Sequence, residues 1–198
     1  MAVGAQAVYN ACIVDDTDRR DIAAVLGGDE ESFARLIRRH QPAMAGLMWR
    51  FTRDAARCEE LVQDVFVEAW FGLDGYRGEA PFDQWLRRIA TRVGYRFWKD
   101  RSRRAAQAPL GKIDPAAPAT DLDPAAAGAA VHTLLSRLPP AERLVITLMY
   151  FDGCGTREIA ERTGWNRAMV KMRAYRARRR LKAIAQREHL LEKLGWTS

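Results

Sequence analysis

A proline- and alanine-rich stretch in the middle of this 198-residue chain most constrains what the chain can fold into. Residues 105–130 contain Pro109, Pro115, Pro118 and Pro124, and they lack aromatic residues. Proline has no backbone donor and clashes inside a helix, so prolines at this density exclude one continuous helix. The stretch therefore predicts a flexible linker between two small domains.

Both sides of this linker show apolar residues at spacings of three and four, and neither shows strand alternation. This periodicity predicts an all-α fold with two small helical domains. We expect an N-terminal tail (1–17), a first domain (18–104), the linker (105–130) and a second domain (131–198). The predicted helices cover about 30–51, 55–71, 81–104, 140–150, 157–163 and 166–192.

The basic residues are concentrated in two stretches. The net charge is +7, and residues 87–104 and 166–182 hold eight Lys and Arg residues each. Two separate basic stretches indicate two contacts on a polyanion, most simply a nucleic acid. Solvated basic helix faces are the alternative.

A helix-turn-helix is predicted within residues 156–170. Ala160 is small enough for two helices to cross, Gly164 suits a left-handed turn, and Val170 can hold the second helix on the first. An ordinary helical hairpin is the alternative. The inward residues of the second helix are Val170, Ala174, Ala177, Leu181 and Ile184. The outward residues, suited to base edges, are Ala168, Lys171, Met172, Tyr175, Arg176 and Arg179. The flanking residues, suited to phosphates, are Arg167, Arg173, Arg178 and Arg180.

The third predicted helix has an apolar face and a basic, aromatic face. Its inward residues are Phe82, Trp85, Leu86, Ile89, Ala90, Val93 and Phe97. Its outward residues are Gln84, Arg87, Arg88, Thr91, Tyr95, Trp98 and Lys99. Exposed Tyr95 and Trp98 among cations suit stacking on unpaired bases of melted DNA. Single exposed aromatic residues are also common, so that alternative stays open.

The second predicted helix has a surplus of outward apolar and acidic residues. These residues are Glu60, Gln63, Asp64, Val67, Trp70 and Phe71. A mixed surface of this kind suits a protein partner. Glu60, Asp64 and Glu68 share a face, but no histidine is in register, so we expect no metal site. No nucleophile–base pair or phosphate-binding glycine loop is present, so we expect neither catalysis, a cofactor nor a small-molecule substrate.

The termini and cysteines indicate the cellular compartment. No run approaches the ~18 apolar residues of a membrane span, and the N-terminus lacks the basic region of a signal peptide. Cys12, Cys58 and Cys154 are odd in number and far apart. We expect a reduced, cytoplasmic protein without direct membrane insertion.

Three stretches together resemble the extracytoplasmic-function (ECF) sigma factors, the two-domain branch of the sigma-70 family. Residues 28–33 are similar to the family's "GDExAF" motif, and residues 58–70 are similar to "AEDLVQDVFLRAW". The third stretch runs from Leu138 to Arg178 and includes the helix-turn-helix. The resemblance covers about residues 21–187, in order and with the linker in place.

The resemblance implies a non-enzymatic subunit that binds core RNA polymerase, recognises the −35 and −10 promoter elements and helps to open the DNA. The linker would run toward the polymerase channels. An anti-sigma factor is implied as a further partner. A helix-turn-helix regulator that binds duplex operators alone is the alternative.

By position, the resemblance also implies site residues. Those implied for core polymerase binding are Glu60, Gln63, Asp64, Val67 and Phe71. Those implied for −10 binding and melting are Tyr76, Arg77, Gly78, Glu79, Arg87, Arg88, Thr91, Tyr95, Trp98 and Lys99. Those implied for −35 binding are Arg167, Ala168, Lys171, Met172, Arg173, Tyr175, Arg176, Arg178 and Arg179. Met169 and Met172 replace hydroxyl residues that are usual in the family, Asn166 replaces the common serine, and Trp165 is unusually bulky.

Overall fold

The computed structural model describes residues 16–107 and 124–187. All regular elements in these two ranges are helices, which confirms the predicted all-α class. They are α1 (16–26), α2 (Glu30–Met48), α3 (Ala55–Gly72), a 3-10 turn (Leu73–Gly75), α4 (Phe82–Gln107), α5 (Pro124–Ser136), α6 (Pro140–Tyr150), α7 (Thr156–Thr163) and α8 (Arg167–Arg187). The chain divides into two compact units between Arg96 and Phe97. No helix in the described ranges has the length and apolar character to cross a bilayer.

Side-chain caps start the helices of the N-terminal unit where the sequence predicts them. Asp29 accepts a hydrogen bond from the Glu31 backbone N–H (3.1 Å) at the start of α2. Asp54 accepts one from the Arg57 N–H (2.9 Å) at the start of α3. Both caps satisfy backbone donors that a helix leaves unpaired at its first turn.

A buried polar cluster links α1 to α2. Arg39 donates to Asp18 (2.5 Å) and to Asp21 (2.6 Å), and Arg35 donates to Asp21 through Nε (2.9 Å). His40 Nε2 lies 3.0 Å from the Asp18 carboxylate. The pairing lets both carboxylates lie in the interior without an unpaired charge. Sequence periodicity did not indicate this cluster.

A close approach between Gly94 and Phe51 brings α4 onto the core of the N-terminal unit. A Cβ added at Gly94 would lie 2.5 Å from two ring carbons of Phe51. Phe51 is buried although α2 ends at Met48, three residues earlier than predicted. The glycine is therefore needed for packing, although glycine is a poor helix former.

The C-terminal unit has its own core. Leu135, Leu138, Ile146 and Ala177 are buried together, and Leu181 packs against them. α8 packs on α6 and on α7. This core joins α5, α6 and α8 and so fixes the side of α8 that faces inward.

Both ends of the predicted linker (105–130) are helical. α4 continues to Gln107, and α5 begins at Pro124, so residues 124–130 are helical. Pro124 fits there because the first helical position needs no backbone donor. The rest of the predicted linker (108–123), residues 1–15 and the predicted end of the last helix beyond Arg187 lie outside the described residues.

Candidate functional site

The outward face of α3 carries exposed apolar and acidic side chains. Val65 and Ala69 are fully buried on the opposite face, which orients the helix. Val67 is 53% exposed and Phe71 is 80% exposed. We define the α3 surface as these two residues together with Glu60, Gln63 and Asp64, all of which are exposed.

Neighbouring residues brace the α3 surface. Glu60 accepts a hydrogen bond from Arg57 (2.6 Å). Trp70, at the edge of the surface, packs edge-on against Phe33 with ring centroids 4.9 Å apart. Glu68 is paired with Arg96 of α4, so it is engaged between helices. No three potential metal ligands converge in the residues that the structure describes.

The loop before α4 is held by Tyr76 and presents its neighbours to solvent. The Tyr76 hydroxyl donates to the Ala80 carbonyl oxygen (2.6 Å). The ring centroids of Tyr76 and Trp85 are 5.3 Å apart. Tyr76 is therefore half-buried. Arg77, Gly78 and Glu79 are exposed, and Gly78 has φ +70°, a value that favours glycine.

On α4, the structure keeps some predicted DNA-facing residues at the surface and buries one. Arg87 and Arg88 are half-buried, and Arg87 donates to Asp83 through Nε (2.8 Å). Lys99 is exposed and Tyr95 is half-buried. Thr91 is only 1% exposed, so its predicted outward position is wrong. Its hydroxyl donates to the Arg87 carbonyl oxygen (2.8 Å), which allows a small polar side chain to be buried in the helix.

The predicted exposure of Trp98 is also wrong. Trp98 is 3% exposed, and the guanidinium carbon of Arg143 on α6 lies 3.9 Å from its ring centroid. Arg143 donates through Nη2 to His132 Nε2 (2.8 Å) when that nitrogen is unprotonated. Burial, followed by repulsion from Arg101, lowers the pKa of Arg143 to about 10. The predicted inward residue Phe97 is half-buried instead. Contacts within the C-terminal unit, not helical periodicity, decide which aromatic residue is covered.

The predicted turn between α7 and α8 has the geometry that its sequence indicates. Gly164 has φ +73°, and its N–H donates to the Ala160 carbonyl oxygen (2.9 Å). Asn166 accepts a hydrogen bond from the Met169 N–H (2.7 Å) and caps α8. Val170 and Ile159 are fully buried, so α8 is locked against α7.

The outward face of α8 presents the predicted base-contacting residues. We define the α8 face as Ala168, Lys171, Met172, Tyr175, Arg176 and Arg179, all of which are exposed. Tyr175 is 63% exposed and Met172 is 45% exposed. Large apolar side chains at this exposure on a basic helix suit contact with a polyanion that also has apolar atoms, such as thymine methyl groups.

The predicted flanking arginines differ in their surroundings. Arg167 is exposed, and the exposed Arg178 donates to the Tyr150 hydroxyl at 3.4 Å. Arg180 Nε lies 3.0 Å from the Glu142 carboxylate. Arg173 is half-buried, with its guanidinium carbon 3.6 Å from the ring centroid of Trp165. The unusual bulk of Trp165 is the feature of the sequence that could have indicated this last contact.

Two family profiles match the chain in order. The profile described as Sigma-70 region 2 matches residues 36–104. The profile described as Sigma-70, region 4 matches residues 128–181. The first match contains all of α3, and the second contains all of α6 and α7.

Full-length relatives agree with the profiles. RNA polymerase sigma factor CnrH of Cupriavidus metallidurans is 30% identical over 181 residues, which cover 86% of this chain and 95% of that protein. The ECF RNA polymerase sigma-E factor of Escherichia coli is 27% identical over 181 residues, which cover 82% of this chain and 91% of that protein.

Solved structures show the same fold. CnrH, in complex with the cytosolic domain of CnrY, aligns with a TM-score of 0.58 and 30% identity over 86% of this chain and 97% of that chain. The sigma factor RpoE of Bartonella quintana, in complex with the anti-sigma factor NepR, aligns with a TM-score of 0.56 and 24% identity over 79% of this chain and 98% of that chain. The chain therefore belongs to the ECF branch of the sigma-70 family, and is a sigma factor that binds core RNA polymerase, recognises the −35 and −10 promoter elements and promotes DNA opening.

Proposed function

We propose that the α3 surface is the part of this sigma factor that docks on core RNA polymerase. The exposure of Val67 and Phe71, on a helix whose other face is core, is the observation that carries the proposal. Covering two apolar side chains removes them from water, and the adjacent acidic residues favour a basic partner surface. The polymerase is the partner that a sigma factor must bind.

We propose a second surface for the melted −10 strand. It consists of the loop residues Arg77, Gly78 and Glu79, the loop-bracing Tyr76, and Arg87, Arg88, Tyr95 and Lys99 along α4. The cations would follow the phosphates, and Tyr95 would supply the aromatic face for an unpaired base. Thr91 and Trp98 are left out because both are buried.

The α8 face is our candidate for −35 recognition. Arg176 and Lys171 can donate to guanine O6 and N7, whereas Met172 can contact a thymine methyl group. Arg167, Arg173 and Arg178 flank this face and suit phosphates. Since Met172 cannot donate a hydrogen bond as a hydroxyl residue can, we expect base preference here to differ from that of relatives with a hydroxyl at this position.

Transcription from a reconstituted holoenzyme tests the assignment of the −10 surface. We expect Tyr95→Ala to reduce run-off transcript from a duplex promoter, because stacking contributes roughly 1–3 kcal/mol per base. A template with a pre-melted −10 bubble should recover much of the activity. Equal losses on both templates would place Tyr95 in folding or docking and would contradict its role in melting.

We also infer an anti-sigma partner and action in the cytoplasm, where the polymerase and its template meet. In the solved complexes, RpoE is bound to the anti-sigma factor NepR, and CnrH is bound to the cytosolic domain of CnrY. Here Val67 and Phe71 provide apolar area that such a partner can cover. Purification of the tagged chain from uninduced cells should yield a bound protein that added core polymerase displaces. Recovery of core polymerase alone would contradict the inference.

A further inference from the structure

Trp165 and Arg173 form a stacked pair beside the α8 face. The guanidinium carbon of Arg173 lies 3.6 Å from the centroid of the Trp165 ring. A cation within about 6 Å of an indole centroid is attracted to the ring, and tryptophan is the strongest of the aromatic partners. The pair joins the turn before α8 to the second turn of that helix.

The backbone around Trp165 fixes where the indole begins. Gly164 adopts the left-handed conformation immediately before it, and Asn166 caps α8 immediately after it. The backbone N–H of Trp165 donates to Thr163 Oγ1 at 3.3 Å. The Trp165 side chain is therefore attached to a backbone turn of defined geometry.

Arg173 occupies the border between the core side of α8 and its exposed face. It lies one residue before the buried Ala174 and three residues before the exposed Arg176. Its Nη1 atom is buried and has no hydrogen-bond acceptor among the described residues. Because Nη1 is closed to solvent, the guanidinium N–H groups that remain accessible on this half-buried side chain are the donors for a phosphate oxygen.

We propose that Trp165 is a positioning residue for promoter binding, which holds the Arg173 guanidinium for a phosphate of the −35 duplex. The proposal rests on the proposed function of the α8 face. Stacking uses the flat face of a guanidinium, whereas a phosphate binds its N–H edge, so both contacts coexist. Restricting the side chain beforehand reduces the conformational entropy that is lost on binding.

Binding of the holoenzyme to a fluorescent duplex promoter, measured over a series of salt concentrations, tests the pair. Arg173→Ala removes one phosphate contact, so we expect weaker binding and a log–log salt slope that is shallower by about 0.9. Trp165→Ala leaves the charge of Arg173 in place but removes the ring on which its guanidinium stacks, so we expect a loss of about twofold to tenfold in affinity for the promoter. In the Arg173→Ala background, Trp165→Ala should cause no further loss.

Two substitutions distinguish the contribution of the aromatic face of Trp165 from that of its size. Trp165→Phe retains a ring and should retain most of the affinity, whereas Trp165→Leu retains apolar cover without a ring and should behave like Trp165→Ala. Trp49 provides a matched control, since it is exposed and has Arg53 5.7 Å from its ring centroid in the N-terminal unit. Trp49→Ala should leave −35 affinity unchanged.

The proposal is overturned if Trp165→Ala weakens binding equally with and without Arg173, or if Phe and Leu at this position give equal affinity. An equal effect of Trp49→Ala would also overturn it. Lys171→Ala and Arg176→Ala distinguish these outcomes from a wrong assignment of α8. If those variants bind like wild type, the α8 face does not contact the −35 element. If they bind weakly while Trp165 and Arg173 show no coupling, only the positioning role is wrong.

Discussion

The guanidinium of Arg143 covers the indole ring of Trp98, with 3.9 Å between the guanidinium carbon and the ring centroid. Both side chains are buried, Trp98 at 3% and Arg143 at 7% exposure. Arg143 keeps a hydrogen bond to His132, and repulsion from Arg101 adds to burial in lowering its pKa to about 10. Trp98 is therefore a core residue of the C-terminal unit.

Trp98→Ala should lower the free energy of unfolding by about 3–5 kcal/mol, because it removes a large buried side chain and leaves a cavity. Chemical denaturation of the full chain measures this loss. Arg143→Met retains apolar cover over the ring and serves as the comparison, with a smaller expected loss. A Trp98→Ala protein with unchanged stability but defective promoter opening would restore the stacking role predicted from the sequence.

Aspartate substitutions at the two apolar residues of the α3 surface should disrupt holoenzyme formation. We expect Val67→Asp combined with Phe71→Asp to weaken binding to core polymerase at least a hundredfold, the scale of two central interface residues. Stability should change by no more than about 0.5 kcal/mol per site, since both residues are exposed. Leu26→Asp, at a 51% exposed position on α1, is the control for added charge. Normal assembly of the double variant would show that polymerase docks elsewhere.

Arg176 and Arg178 should contribute differently to −35 recognition. Arg176 belongs to the α8 face, so Arg176→Ala should cost about 1–3 kcal/mol and relax preference at one base pair. Arg178 is a phosphate candidate, so Arg178→Ala should weaken all sequences alike and make the salt slope shallower by about one unit. Transcription from a saturating −35 library by each variant measures both effects. Base preferences identical to wild type in both variants would contradict base recognition by Arg176.

Gly94→Ala should destabilise the N-terminal unit. The added Cβ would lie 2.5 Å from ring carbons of Phe51, and overpacking of this kind costs about 1–3 kcal/mol. Gly46 in α2 is the matched control, since a Cβ there meets no atom within 4 Å. Gly46→Ala should stabilise by up to about 1 kcal/mol through helix propensity. Urea unfolding of both variants gives the comparison, and equal effects would contradict the close contact.

Asp21 should make folding stability depend on acid pH. Burial opposes ionisation of Asp21, but hydrogen bonds from Arg39 and Arg35 outweigh it and lower its pKa below 3.8. A carboxylate whose folded pKa is lowered contributes stability above its unfolded pKa and loses it as the pH falls through the folded value. Asp21→Asn should therefore be less stable than wild type at pH 7, and the difference should shrink below about pH 4. Urea melts over this range measure it, and a difference that is constant with pH would contradict the ion pairing.

Local sequence determined where α2, α3 and α8 begin and which faces α3 and α8 bury. The caps at Asp29 and Asp54 form where the predicted helices begin, and Gly164 forms the predicted left-handed turn, because each depends only on residues within a few positions. The exposed α3 surface and α8 face also follow from periodicity, since a helix with one apolar stripe must turn its other residues outward. The motifs therefore sufficed for the fold class and the family.

Only the tertiary structure decided the contacts between distant residues. Trp98 is buried because Arg143, 45 positions away, covers it, and Gly94 is required because Phe51 lies against it. The Asp18–His40 contact joins two helices, and the stack of Arg173 on Trp165 crosses a turn. A helical pattern specifies which way a side chain points along its own helix. What meets that side chain depends on how other helices pack, because burial is a property of the assembled core.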